Sequence, residues 1–368
     1  MIRLPLLSFF VALLSFSSIP VFAQNEPGGS LDDIARFLAG QPVSATSPLE
    51  GLMRMPSVRN HYAETQALSQ DWEDLRMKKI REWATTEIQS QIARPPETVK
   101  YLFGGPDFVH VEGIFPGASE YVLVGLEPLG TVPDFFAITE AQWERYLSHL
   151  NHTLRSITRR NFFITTEMRE DFGKEGVDGV FPVLLYFAAL TGHEVQEANF
   201  VTLGPDGKVS QTDSATNADG IWLRLRDSKP GSPPQQDLYY FKTNLANDGF
   251  HAGSPFHGFL LDRPGGVGYL KAASYLMHTE NFSNIRNFLV GDCRFLLQDA
   301  SGIPADFLAL YYNVTYYGNY IGPIDMFSEY DQPKLRAIYQ SGIAKPLPFG
   351  TGYRMKDEHS VQMFGVRK

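Results

Sequence analysis

One stretch of the sequence, residues 98–125, constrains the fold more than any other. Its pattern predicts a strand over residues 98–103, a glycine turn over residues 104–107, a short helix or turn over residues 108–115 and a buried strand over residues 120–125. Two strands joined by so short a crossover are typical of a βαβ unit, in which the strands run parallel. We therefore expect parallel strands at the centre of the fold.

Helical and strand-like patterns flank this unit on both sides. Helices are predicted between Ser30 and Gly40 and over residues 61–92, 139–159, 177–190, 268–278, 281–289 and 332–340. Strands are predicted over residues 193–203, 220–226, 237–243 and 294–298, the first three as an antiparallel meander. These patterns predict an α/β fold: a mixed, partly parallel sheet with a Rossmann-like core, flanking helices and an antiparallel meander.

The N-terminus has the pattern of a cleavable secretory signal. Arg3 supplies a positive charge, residues 6–16 form an apolar run too short to span a bilayer, and Pro20 interrupts that run. Small residues at the −3 and −1 positions predict cleavage between Ala23 and Gln24. We therefore expect a periplasmic or secreted protein without stable membrane insertion.

The chain divides into three expected segments. Residues 1–23 are the signal peptide, residues 24–60 are a polar leader with one short helix, and residues 61–368 are a single α/β domain. The meander, at about residues 193–243, is a candidate subdomain because the pattern changes there from helical to strand-like. No sharp break in composition separates it from the rest of the domain.

Charge, cysteine content and motifs narrow the partner and the compartment. The net charge of −9 argues against nucleic acid as a partner, because phosphate binding needs clustered Lys and Arg. The single cysteine, Cys293, favours a bacterial periplasm over a disulfide-rich exterior, and its apolar neighbours favour a buried thiol over a nucleophile. The sequence contains no phosphate-binding loop and no dinucleotide fingerprint, so we expect no nucleotide cofactor.

Polar and glycine residues follow four of the predicted strands. They are Gly104, Gly105 and Asp107 after the first strand, Glu127 after the second, Thr243 after the meander, and Asp299 and Ser301 after the strand at residues 294–298. Ligands of open α/β sheets bind beyond the carboxyl ends of parallel strands, so these residues are expected to ring a cleft.

The three carboxylates of this set, Asp107, Glu127 and Asp299, are the candidate catalytic groups. Carboxylates act as general acids and bases, and a cluster of them is able to hold a divalent metal. The simpler explanation is that Asp and Ser after a strand serve as turn and helix-cap residues.

Lys271 belongs to a second candidate constellation. If residues 268–278 form a helix, Lys271, Ser274, Tyr275 and His278 share one face, and Lys271 is able to activate a neighbouring hydroxyl. An ordinary polar helix face accounts for the same pattern.

Three further candidates rest on local pattern alone. His110 closely follows the glycine turn, so it is a candidate for proton transfer, or for metal binding if the fold brings other histidines to it. Tyr316 lies in a tyrosine-rich run that is able to stack on a sugar ring, although such a run more often forms a packed strand. Arg354 lies in a C-terminal glycine turn as a candidate anion contact.

Two functions follow from these candidates. The first is an exported hydrolase that acts on an envelope or imported substrate through a carboxylate-lined cleft, since ATP and reduced nicotinamide are not supplied outside the cytoplasm. The second is a non-catalytic periplasmic protein for binding or envelope assembly, in which the cleft or the tyrosine run holds a saccharide or a protein. The partner is a small molecule or an envelope component in either case.

Overall fold

Ten strands of the described chain form one mixed sheet. The computed structural model describes residues 29–160, 179–227, 233–355 and 357–368, so the predicted signal peptide lies outside the described residues. In chain order the strands are β1 Thr98–Tyr101, β2 Glu120–Gly125, β3 His193–Leu203, β4 Val209–Thr212, β5 Gly220–Asp227, β6 Gln236–Lys242, β7 Val267–Leu270, β8 Phe295–Gln298, β9 Tyr312–Gly318 and β10 Val361–Arg367. Their order across the sheet is β4-β3-β5-β6-β2-β1-β7-β8-β10-β9.

The five central strands, β6, β2, β1, β7 and β8, run parallel, and the strands beyond them pair antiparallel. From β1 the chain crosses to β2 on one side, whereas β7 and β8 lie on the other side of β1. The winding therefore reverses between β1 and β7, which is the topological switch point where open α/β sheets form a crevice. The predicted mixed, partly parallel sheet with a Rossmann-like core is confirmed.

Helices cover both faces of this sheet. They are α1 Leu31–Leu38, α2 Pro56–Trp72, α3 Lys78–Trp83, α4 Ser90–Ile92, α5 Phe108–Ile114, α6 Glu140–Arg160, α7 Phe181–Leu190, α8 Pro255–Leu261, α9 Ser283–Asp292, α10 Ala305–Tyr311 and α11 Pro333–Gln340. Alternate residues of a strand point to opposite faces, so in β2 Tyr121 and Leu123 enter the core under α1 to α7, while Val122 and Val124 enter the core under α8 and α9. Burial on both faces explains the continuous apolar run of β2.

The long helix predicted over residues 61–92 is present but starts earlier. Helices α2, α3 and α4 follow one another without a break, joined by the π-helical turns Glu73–Met77 and Ala84–Gln89. Pro56 occupies the first turn of α2, where a missing N–H leaves no helical hydrogen bond unmade. Ala93 ends the segment with a left-handed φ of 68°.

The predicted helix over residues 268–278 is wrong. Residues Val267–Leu270 form β7, a buried strand between β1 and β8, and the chain continues as a loop that leads into the short 3-10 helix Leu276–His278. A short apolar run does not by itself distinguish a buried parallel strand from a helix, and pairing with distant strands decides the outcome here. Ala272, Ser274 and Tyr275 have φ angles of 52°, 54° and 56°, which a right-handed helix does not contain. The expected polar helix face is therefore absent.

The predicted meander belongs to the same sheet as the parallel core. Strands β3, β5 and β6 pair antiparallel as predicted, and β6 also pairs with β2 in the parallel core. A fourth strand, β4, was not predicted; it pairs with β3 across the turn that contains Gly207. The tyrosine-rich run forms β9 at the sheet edge.

The short N-terminal helix is confirmed as α1. Its first turn is capped because the Ser30 hydroxyl accepts a hydrogen bond from the backbone N–H of Asp33 at 3.1 Å. The Gln41 side chain after the helix donates to the carbonyl of Ala189 at 3.0 Å, which ties this segment to α7. None of the described helices combines the length and the apolar character that a membrane crossing requires.

Candidate functional site

A cavity of about 180 Å³ opens at the carboxyl ends of β6, β2, β1 and β7, beside the switch point. One water needs roughly 10–15 Å³ on the same measure, so the cavity has room for a small molecule. Its apolar wall includes Leu102, Phe103, Val124, Leu126, Leu245, Leu276 and Phe282, and its polar lining includes Gly104, Gly105, Glu127, Thr243, Asn244, Lys271, Ser274 and Tyr353. We call it the switch cavity. Three of the four predicted strand ends therefore meet at this cavity, whereas Asp107, Asp299 and Ser301 are not among its described lining residues.

Asp107 is buried beside the switch cavity and connects β1 to β7. Lys271 Nζ donates to Asp107 Oδ2 at 2.6 Å, and the Tyr101 hydroxyl donates to the same oxygen at 2.9 Å. His110 Nδ1 donates to Asp107 Oδ1 at 2.7 Å. The fold thus brings Asp107, His110 and Lys271 into direct contact. Of these three, Lys271 lines the cavity, from the end of a strand and not from a helix.

The charges in this buried network are matched. Burial opposes ionisation of Asp107, but the neighbouring His110 and Lys271 outweigh it and lower the Asp107 pKa to about 2. Burial lowers the pKa of His110 to about 4, so at neutral pH its ring is uncharged and donates through Nδ1–H. Burial also lowers the pKa of Lys271, and the negative charge of Asp107 opposes that shift. Lys271 and Asp107 therefore form a buried ion pair.

Glu127 holds its carboxylate beside Gly125, at the end of β2. Its Oε2 accepts hydrogen bonds from the Tyr240 hydroxyl at 2.8 Å and from the backbone N–H of Leu126 at 3.0 Å. A Cβ on Gly125 would lie 2.1 Å from Glu127 Oε2 and 3.1 Å from the Cα of Gly105, so any larger residue would displace the carboxylate. Glu127 is thus a buried, oriented carboxylate in the cavity lining.

Asp299 and Ser301 hold the loop that follows β7. Asp299 Oδ2 accepts from the N–H of Ala272 at 2.8 Å, and Oδ1 accepts from the N–H of Ser301 at 2.8 Å. The Ser301 hydroxyl accepts from the N–H of Ala273 at 2.7 Å. Burial raises the pKa of Asp299, and these hydrogen bonds oppose that shift. The two residues act on the switch cavity through the loop, and neither is among the described residues that line it.

This loop is backbone-strained where it meets the cavity. Ala272 and Ser274 are both left-handed, a conformation that non-glycine residues adopt only when their surroundings impose it. Tyr353 donates its hydroxyl proton to the carbonyl of Ala272 at 2.9 Å, so the Ser274 hydroxyl, 2.7 Å from Tyr353 Oη, is the donor in that contact. Strain of this kind is concentrated at functional sites, which supports a functional role for the loop.

Tyr316 and Arg354 lie elsewhere. Tyr316 packs edge-to-face on Tyr339 at 5.9 Å in a small apolar cluster on the outer part of the sheet. Arg354 donates to the backbone carbonyls of Gly322 and Pro323. Neither residue is among the described residues that line the switch cavity. Arg354 instead lines a small second cavity together with Asp299 and Ser301, and Tyr316 is not among the described residues that line either cavity.

Three tyrosines that were not predicted from the sequence organise the site. Tyr101 donates to Asp107 and its ring lies under Gly104, where a Cβ would come within 2.1 Å of the ring. Tyr240 and Tyr353 hold Glu127 and the loop after β7, as described above. Tyr101 is the last residue of β1, and Tyr240 lies two residues before the end of β6. Their position near the ends of parallel strands is the one feature of the sequence that could have identified them.

Within the described part of the chain, one group of three side chains has the composition and spacing of metal ligands. It consists of Glu112, His193 and Asp227, whose ligand atoms all lie within 4.8 Å of one another. None of the three lines the switch cavity. His110 is not part of this group, and none of the three was predicted from the sequence as a metal ligand.

Comparisons of the chain with protein-family models, with curated proteins and with solved structures return no significant match. The functional conclusions therefore rest on the geometry of the chain itself.

Proposed function

We propose that this chain is an exported enzyme of the hydrolase type that binds a small molecule in the switch cavity. One observation carries the proposal: the buried ion pair of Lys271 and Asp107 bridges the segments that follow β1 and β7 at the switch point, and Lys271 is one of the residues that line the cavity. Burying an ion pair costs several kcal/mol of desolvation per ion, so it is a poor device for stability alone. Groups whose pKa values are shifted in this way cluster at functional sites.

Each residue has a distinct role in this proposal. The Lys271 ammonium binds an oxygen of the substrate and stabilises the negative charge that develops on it when water attacks. Glu127 is the general base that takes a proton from that water; the bond to the leaving oxygen then breaks, and Glu127 returns the proton to that oxygen. Asp107 is a positioning residue that keeps Lys271 charged and aimed, and Asp299 fixes the backbone of the loop. His110, neutral at pH 7, completes the hydrogen bonding of Asp107.

The test uses three chromogenic probes: p-nitrophenyl acetate, p-nitrophenyl phosphate and p-nitrophenyl glucoside. We expect turnover of at least one, reduced by about 10²–10⁴-fold in Glu127→Gln, the range typical for loss of a general base. Glu50→Gln, at an exposed position outside the cavity lining, is the matched control and should retain wild-type turnover. A hydrolysis rate that Glu127→Gln and Lys271→Met leave unchanged would contradict the proposal.

A binding protein with the same cavity is the second candidate. The hydrogen bonds of Asp107 and Asp299 favour a binding protein. Their carboxylate oxygens accept hydrogen bonds from other groups of the protein, and such bonds make a binding site rigid. A small molecule that raises the melting temperature and is recovered unchanged, with none of the three probes turned over, would favour this candidate over the enzyme.

The export step has its own test. Expression of the full chain in a Gram-negative host should yield periplasmic protein with the mass of a chain that begins at Gln24, because the residues before Gln24 have the pattern of a cleavable signal. Protein that stays in the cytoplasm with its N-terminus intact would contradict the export proposal. The proposed hydrolysis in the switch cavity is tested separately, by the three p-nitrophenyl substrates.

A further inference from the structure

The lining of the switch cavity changes from charged to apolar between its inner end and its mouth. Lys271 and Glu127 are each 1% exposed, so the two charged side chains lie at the inner end. Leu126 is 47% exposed, and Phe103 and Phe282 are half-buried, so these three apolar side chains lie at the mouth. A molecule that fills the cavity therefore has its polar group inside and an apolar part towards solvent.

The apolar wall of the cavity is continuous with the core on one face of the sheet. Leu102, Val124 and Leu245 are buried in the apolar cluster under α8 and α9. Phe103 and Phe282 pack against that cluster, with their ring centroids 6.3 Å apart. Removing alkyl or aryl surface from water against such a wall is favourable. The wall therefore favours a ligand with a hydrocarbon chain.

The charges of the cavity favour an uncharged reacting group. Among the described lining residues, Lys271 is the one cationic side chain and Glu127 is the one anionic side chain. Lys271 Nζ also lies 2.6 Å from Asp107 Oδ2, so the positive charge at the inner end is already matched. A phosphate ester would bring further negative charge close to two carboxylates, and like charges at close range repel. A carbonyl oxygen becomes negative only when water attacks.

Three further polar side chains of the lining already have hydrogen-bond partners within the protein. The Ser274 hydroxyl donates to Tyr353 Oη at 2.7 Å, and the Tyr353 hydroxyl donates to the carbonyl of Ala272 at 2.9 Å. Asn244 is hydrogen-bonded through both ends of its amide to the loop that follows β6. A sugar ring would leave its hydrogen bonds to water without replacing them here, which is unfavourable.

We infer that the substrate is an uncharged carboxylic ester or amide whose apolar chain extends through the mouth between Leu126, Phe103 and Phe282. This inference rests on the hydrolase function proposed above. Water attacks the carbonyl carbon, and the carbonyl oxygen takes the negative charge beside Lys271. The bond from that carbon to the alcohol oxygen or amide nitrogen then breaks, and Glu127 returns the proton to the leaving atom. The products are a carboxylic acid and an alcohol or amine.

The size of the cavity sets the length of the chain. On the same measure as before, its 180 Å³ holds roughly 12–18 groups of the size of a water molecule. A p-nitrophenyl hexanoate molecule has about 17 non-hydrogen atoms and fills this space. Longer chains extend past Leu126 into solvent, where further methylenes gain no contact.

The test compares p-nitrophenyl esters from acetate to decanoate with p-nitrophenyl phosphate and glucoside. We expect kcat/KM to rise by up to about fourfold for each added methylene, the effect of burying one CH₂ group, and to level off beyond hexanoate. The matching p-nitroanilides distinguish an amide substrate from an ester. Turnover of the phosphate or the glucoside alone, or equal rates for all chain lengths, would overturn the inference and leave the hydrolase function in place.

Leu126→Gln tests the mouth, and Leu261→Gln is the matched control. Leu261 is 56% exposed and is not among the described lining residues, so both substitutions replace an exposed leucine. We expect Leu126→Gln to raise KM for the hexanoate by about threefold or more and to leave KM for the acetate unchanged, because only the longer chain reaches the mouth. Leu261→Gln should match the wild type. Equal kinetics in the two variants would contradict the placement of the chain.

Binding of the chain is measured separately with p-nitrophenyl hexyl ether, which has no carbonyl group to hydrolyse. We expect this ether to raise the melting temperature more than p-nitrophenyl methyl ether does, since a ligand of the native state stabilises it. A rise without turnover of any probe would overturn the hydrolase function and keep the apolar ligand class. Turnover without any rise would overturn the apolar ligand class alone, and absence of both would overturn both.

Discussion

Replacing Asp107 by Asn removes the negative charge that faces the buried ammonium of Lys271 and keeps the side chain nearly the same size. The two side chains are each 1% exposed, and Nζ lies 2.6 Å from Oδ2. Two unit charges about 4 Å apart attract by about 4 kcal/mol at an effective dielectric constant of 20. Loss of one partner of a buried pair typically costs about 3–5 kcal/mol, which agrees with that figure.

The expected change in melting temperature follows from the size of the protein. An unfolding entropy of roughly 2.1 cal/mol/K per residue, over 368 residues, is about 0.8 kcal/mol/K. A loss of about 3–5 kcal/mol therefore lowers the melting temperature by about 4–7 °C. The assay is thermal unfolding at pH 7 followed by circular dichroism, with urea unfolding as the second measurement of the free energy.

The chain offers a matched ion pair at the surface. Lys208 Nζ lies 2.6 Å from Asp262 Oδ2, the same distance as in the buried pair, but these side chains are 67% and 48% exposed. Asp262→Asn should leave the melting temperature unchanged, because solvent screens an exposed pair. The double variant Asp107→Asn, Lys271→Met should recover at least half of the loss, since it leaves no unpaired buried ammonium. The reasoning fails if Asp107→Asn and Asp262→Asn have equal effects.

Three further predictions concern other parts of the chain. Burial lowers the pKa of His110 from 6.5 to about 4, so between these pH values the unfolded chain binds more protons than the folded one. The free energy of unfolding therefore falls by up to about 1.4 kcal/mol for each pH unit that the pH is lowered. His110→Asn should reduce this slope in unfolding free energies measured from pH 7 to 4, and an equal slope in the variant would refute the assignment. Gly125→Ala should destabilise the protein by about 1–3 kcal/mol because its Cβ would lie 2.1 Å from Glu127 Oε2; Gly51→Ala, where nothing lies within 4 Å, is the control in the same melting experiment. Burial raises the pKa of Cys293 to about 12, so we expect a disulfide reagent to label its thiol in guanidinium and not in native protein, and rapid native labelling would contradict this.

The local pattern of the sequence was sufficient for the parallel unit and for most helices. The strand, glycine turn and strand over residues 98–125 predicted β1, α5 and β2, because a strand buried on both faces is a continuous apolar run. The same reasoning was insufficient at residues 268–278. A four-residue apolar run fits a buried strand or a helix equally well, and only hydrogen bonds to β1 and β8 decided between them.

The candidate site divides in the same way. Sequence alone predicted that residues after parallel strands would converge, because the carboxyl ends of such strands share one edge of the sheet, and Gly104, Gly105, Glu127 and Thr243 all line the switch cavity. Which groups are paired and buried was decided by tertiary structure. The contact of Asp107 with Lys271 joins residues 164 positions apart, and only the placement of β7 beside β1 creates it. The meeting of Glu112, His193 and Asp227 depends likewise on the packing of α5 against the ends of β3 and β5, since spacing along the chain contains no information about such contacts.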